Sequence, residues 1–125
     1  MERGYSVTIA DASRELTAKE KVMFKDTSDC IRLDEATKEG EIIIKPIEYI
    51  VLNVHNEKSD DKDYNNFILV DADGFRYLTG STNLFNTFYD IFNEMKGVDE
   101  DWSLKIYRLP SKNYKGKEFI TCSIV

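Results

Sequence analysis

The side chains with the most chemistry to offer lie in the stretch KIYRLPSKNYKGK, residues 105–117. Lys105, Arg108, Lys112, Lys115 and Lys117 gather there with Tyr107 and Tyr114 set among them, and no carboxylate appears before Glu118. Cations that can follow a phosphate backbone, alternating with flat rings on which unpaired bases stack, suit sequence-tolerant recognition of a single nucleic-acid strand. Each stacked base contributes roughly 1–3 kcal/mol. The same residues also suit a solvated hairpin loop whose lysines keep a strand edge from pairing with its neighbours. The surrounding elements must decide between the two.

Other clusters carry less. His55, Glu57, Asp60, Asp61 and Asp63 supply divalent-cation ligands, but their spacing is irregular and lysines interrupt them, as in a solvated loop. Asp71-Ala72-Asp73-Gly74 resembles the start of a calcium loop, yet its glycine comes too early and the twelfth position is Thr82 instead of a glutamate. Asp90, Glu94 and Lys96 have a spacing found in metal-dependent nucleases and fall on or beside an amphipathic helix, where an exposed face explains them. There is no glycine-rich phosphate loop, nucleophile elbow or paired cysteine and histidine. Cys30 and Cys122 are far apart with one histidine between them, so neither a zinc site nor a disulfide is expected. The expectation is a protein that is not an enzyme and uses no cofactor.

A chain of 125 residues bounds the answer to one domain with a real core. Its 42% hydrophobic and 12% aromatic content exceeds what a disordered chain carries. No run approaches the roughly 20 apolar residues of a membrane span and the opening residues lack a secretory signal, which predicts a cytoplasmic protein without membrane contact. The net charge of -6 opposes simple attraction to a polyanion. Local field governs docking, however, so the basic stretch keeps its meaning.

The elements that would position that stretch follow from its context. MERGYSVTIA alternates weakly, as a short strand or an arm. Thr17 and Glu20 form a capping box that predicts a helix over Ala18 to Lys25. A polar connector then runs to Gly40, which sets the expected boundary between an N-terminal extension (1–40) and the main module (41–125). EIIIKPIEYIVLNV predicts a long strand interrupted at Pro46. FILVDADGFRYLTG predicts a hairpin with a two-residue turn at Asp73-Gly74, in which Asp71 faces Arg76, Val70 faces Tyr77 and Leu69 faces Leu78. Leu84, Phe85, Phe88, Ile91, Phe92 and Met95 mark one face of a helix capped by Ser81 or Thr82 and ended by Gly97. SLKIYRLP and KEFITCSIV predict two more strands. Leu104, Ile106, Ile120, Cys122 and Ile124 form their core face, with Lys105, Tyr107, Phe119 and Thr121 on the other.

Strand, strand, strand, helix, strand, strand is the order of an OB-fold, so the expected class is mainly β (α+β): a five-stranded, partly open Greek-key barrel preceded by a short helical segment. In that fold oligonucleotides cross strands two and three between the loops joining strands one to two and four to five. SKNYKGK is the second of those loops. Tyr77 and Phe75 on strand three either extend the ring platform or belong to the core.

VHNEKSDDKDY, YLTGS, LFNTFYDIFNEM and PSKNYKGKEFITCSI together resemble the small single-stranded DNA-binding proteins of bacteriophages and bacterial mobile elements, and LTAKEKVMFKDTSD is similar to their opening. The likeness covers most of the chain. It implies an OB-fold, sequence-independent binding in replication or recombination alongside proteins of those processes, and self-association as a homo-oligomer. FITCSIV departs from the acidic tail by which many bacterial single-strand binders recruit partners. The expected interface is Tyr77, Lys105, Tyr107, Arg108, Lys112, Tyr114, Lys115, Lys117 and Phe119 on single-stranded DNA. The competing expectation is an acidic protein-interaction module or nucleic-acid mimic, for which residues 57–63 and 99–101 speak.

Overall fold

Pro46 has no amide hydrogen to offer a central ladder, so it ends one run of pairing and begins another. A computed structural model of the chain, describing residues 4–113 and 115–125, accordingly divides the predicted long strand in two. In chain order the elements are β1 (Tyr5–Ala12), α1 (Ala18–Lys25), β2 (Ile31–Arg32), α2 (Leu33–Ala36), a 3-10 turn (Thr37–Glu39), β3 (Ile42–Ile44), β4 (Pro46–Asn56), β5 (Asp63–Asp71), β6 (Arg76–Thr79), α3 (Thr82–Met95), β7 (Leu104–Pro110) and β8 (Glu118–Ile124). The fold is mixed α/β and mainly strand, with a five-stranded sheet ordered β1-β4-β5-β6-β2 and a three-stranded sheet ordered β3-β7-β8.

The sheets do not close into the expected barrel. The edge of β6 away from β5 is taken by β2, which pairs in parallel through Ile31 with Tyr77 and Arg32 with Leu78. Among the described residues β8 has only β7 as a sheet neighbour, and α3 packs on it through Leu84, whose carbonyl lies 3.7 Å from the Cys122 sulfur. The residues before Gly40, expected as an extension, are part of the same sheet: β1 runs antiparallel to β4 from Tyr5 opposite Asn56 to Ala12 opposite Ile50, with a bulge after Ile9.

Alternation in the five-stranded sheet sends side chains into two cores. Tyr49, Val51, Phe67 and Leu69 face α3 and the second sheet, where they meet Leu84, Phe85, Phe88, Leu104, Ile106 and Cys122. Phe67 stacks on Phe85 at 4.2 Å between ring centroids, and Tyr49 meets the rings of Phe85, Phe88, Tyr89 and Phe92 edge-on. Ile50, Leu52, Ile68, Val70 and Leu78 face the other way and are covered by Leu16 and by Phe24 of α1. That helix has the predicted bounds, and the Thr17 and Glu20 capping box is formed. α3 also starts where its cap predicts, with the Ser81 hydroxyl accepting the Leu84 amide at 3.2 Å. Gly97, at φ 77°, follows its end. Among the described residues no helix is long and apolar enough to cross a membrane.

The β5–β6 hairpin differs from its predicted register by one residue. The loop is three residues long: Gly74, at φ 88°, donates to the Asp71 carbonyl at 3.0 Å, and the Asp71 amide donates to the Phe75 carbonyl at 3.0 Å. This is the type I turn with a left-handed glycine that three-residue hairpin loops use. Val70 therefore faces Arg76, Leu69 faces Tyr77 and Ile68 faces Leu78, which puts Leu78 in the aliphatic core. The expected Asp71–Arg76 pair does not form. The buried Asp71 carboxylate instead accepts the amides of Asp73 (3.1 Å) and Phe75 (2.9 Å), holding the wider loop, while Arg76 reaches Asp29 and the Met23 carbonyl.

Candidate nucleic-acid interface

β7 and β8 pair as their alternation predicts, from Leu104 opposite Ile124 to Pro110 opposite Glu118. Leu104, Ile106, Ile120 and Cys122 are buried, while Ile124, expected among them, is 44% exposed at the sheet's end. Burial pushes the Cys122 thiol up to about 12. Cys30 lies against the opposite core, and both cysteines are free.

The alternate set makes the outer face of the three-stranded sheet. Lys105, Tyr107, Leu109, Phe119, Thr121 and Ser123 lie on it, and Ile43 joins from β3 opposite Lys105. No carboxylate is among these paired positions. Ile43, at one end of this face, and Leu109 and Phe119, at the other, are exposed at 59%, 40% and 40%. The Tyr107 hydroxyl is 2.7 Å from the Ser123 hydroxyl, which anchors the ring on the sheet, and the Lys105 ammonium sits 5.0 Å from that ring's centroid. Phe119 is thus the more open of the two rings.

Beyond Pro110 the loop carries Lys112, Lys115 and Lys117, all exposed, and is closed by the Ser111 amide donating to the Lys117 carbonyl at 2.8 Å. Tyr114 lies outside the described residues. A cleft of about 660 Å³ runs beneath this loop between Leu109, Pro110, Lys112 and Phe119 on one side and Asn83 at the start of α3 on the other.

Two of the expected interface residues point elsewhere. Arg108 has the parity of the core set, opposite Ile120. Its guanidinium donates to the Thr37 hydroxyl at 3.0 Å and to the Asp34 carbonyl, tying β7 to α2. Tyr77 packs against the aromatic core and donates its hydroxyl to Asp71 at 3.2 Å; burial first, then the Asp71 carboxylate, raise its phenol above the usual range. Leu109 was legible in the alternation beside Tyr107 and Phe119. Ile43 was not, because nothing local reports that β3 pairs with β7.

The acidic run at 57–63 lies at the end of the five-stranded sheet, whereas Glu41, exposed just before β3 and with the parity of Ile43, borders this face. Asp60 and Asp61 lie in the β4–β5 connection and Asp63 opens β5, where the His55 ring bridges Asp63 (2.8 Å) and Glu57 (3.4 Å). Among the described residues no cluster of histidine, cysteine and carboxylate side chains is disposed to hold a metal ion. Asp101 pairs with Lys45 at the far end of β7 from the lysine loop, about 20 Å along a seven-residue strand. Protein-family models, curated proteins and solved structures contain no match to this chain.

Proposed function

We propose that this chain binds single-stranded DNA without sequence preference, on the outer face of β3-β7-β8 and the lysine loop above it. The observation that carries the reading is the convergence of an exposed ring, an anchored ring and a cation on a face whose paired positions hold no carboxylate, next to Lys112, Lys115 and Lys117. Bases stack on Phe119 and Tyr107, while the ammonium groups, Lys105 included, take the phosphates. Arg108 acts as a structural tie and Tyr77 as a core residue. The element order from β3 to β8 supports an OB-type ancestry opened between β6 and β8, and with it a role in replication or recombination.

The usual OB path across strands two and three corresponds here to the outer face of β5 and β6, which Leu16 and, from α1, Phe24 cover. A bound strand on the three-stranded sheet avoids that face, and with it the carboxylates of the β4–β5 loop. The test is fluorescence anisotropy of a labelled mixed-sequence oligonucleotide at low and moderate salt, with duplex DNA as competitor. Expected is salt-sensitive binding that duplex barely displaces. Lys112→Glu should lower affinity and flatten the slope of log K against log salt by about 0.7, the share of one neutralised phosphate on a single strand. Absence of binding at low salt, or full affinity in folded Phe119→Ala and Lys112→Glu variants, would overturn the proposal.

A further inference from the structure

Of the sheet edges, β2 and β3 are two and three residues long, too short to template a partner. β8 is longer but closed. Ser103 and Val125 exchange both backbone hydrogen bonds, at 3.0 and 2.9 Å, so by alternation Ile120 and Cys122 turn their amides and carbonyls away from β7. Those residues are only 8% and 3% exposed, with α3 packed against them.

β1 is different. The Glu57 amide donates to the Gly4 carbonyl at 2.7 Å, which by the same alternation directs Ser6 and Thr8 at β4 and turns the backbone groups of Tyr5, Val7 and Ile9 outward. Among the described residues nothing meets those groups. The run Tyr5-Ser6-Val7-Thr8-Ile9 holds no charge and no proline, and the bulge comes only after it. An edge of this kind is a template for another strand.

We propose that β1 is the edge through which two copies of this protein associate. The strands pair antiparallel about a twofold axis at Val7, so that Tyr5 faces the second copy's Ile9, Ser6 faces its Thr8, and the two five-stranded sheets become continuous. In this register every outward donor meets an acceptor and no charge faces its like. A second copy suits the surroundings better than a charged peptide does: the groove of about 710 Å³ beside this edge carries Arg14, Lys21 and Lys25 along with Asp11 and Glu15, both signs together, as a self-complementary surface requires. The charge of -6 on each copy repels at long range, so association strengthens with moderate salt, the opposite of DNA binding.

Sedimentation velocity of the untagged chain tests this, with Ser6→Lys/Thr8→Lys and Ser6→Lys/Thr8→Glu alongside. Both side chains are exposed, and circular dichroism checks that the fold is retained. The first variant sets like charges opposite each other and should weaken the dimer about tenfold or more; the second sets opposite charges in the same places and should restore it to within about threefold of wild type. A wild-type chain that stays monomeric at about 100 μM, a Lys/Lys variant that dimerises like wild type, or a Lys/Glu variant that fails to recover would each overturn the proposal.

Discussion

Ile50, Leu52, Ile68, Val70 and Leu78 on the outer face of the five-stranded sheet occupy the same kind of alternating position as Ile43, Lys105, Tyr107, Leu109 and Phe119 on the outer face of the three-stranded sheet. The first set is wholly aliphatic. Leaving it in water would forfeit roughly 1.5–3 kcal/mol for each large side chain, and the chain meets that demand with Leu16 and Phe24. The second set mixes two rings and an ammonium with only two aliphatic side chains, its Tyr107 and Lys105 already satisfied by local partners, and among the described residues it persists uncovered. Side-chain type thus decides which outward face becomes core and which stays open to a ligand.

The comparison breaks most sharply at Phe24. Phe24→Ala should cost about 3 kcal/mol in chemical denaturation, yet the protein that remains folded should bind an oligonucleotide with wild-type affinity. A loss of affinity there would mean that the sealed face takes part in binding. Phe119→Ala should do the reverse. We expect oligonucleotide affinity to fall by about 5- to 100-fold, with stability changed by less than about 0.5 kcal/mol.

Gly74→Ala sharpens the picture of the hairpin that shapes the covered face. No atom lies within 4 Å of the added methyl, so only the φ of 88° opposes it, and the denaturation midpoint should fall by an amount equivalent to about 1 kcal/mol. The smallest effect belongs to His55, whose pKa is raised first by the hydrogen bond to Asp63 and then by Glu57. A raised folded value means that this contribution to stability is full below the unfolded value of 6.5 and fades as pH rises through the folded one. His55→Gln should therefore lower stability at pH 5.5 more than at pH 8.5, and equal losses at both would show that the ring's charge is not involved.

Much of this arrangement was legible in the chain. The α1 capping box, the period of α3 and the alternation of β7 and β8 are local signals, and all appear at the expected residues. The opposed placement of Tyr107 and Phe119 against Ile106 and Cys122 was equally readable. Arg108 was misleading because its charge drew attention and its parity did not: the same alternation that buries Ile106 turns Arg108 inward, toward Thr37.

By itself, then, the sequence determined where α1 and α3 begin, that the segments of β5 to β8 are strands, and which side chains of β7 and β8 share a face, because periodicity and capping act within a few residues; β2 and α2 fall in what it presents as a polar connector. Only the tertiary structure decided that β1 belongs to the main sheet, that β2 takes the edge beside β6, that the β5–β6 loop widens around Asp71, and that α1 closes one outer face while the other stays open. Those outcomes depend on pairings between residues far apart in the chain, where burial of whole faces outweighs any local preference.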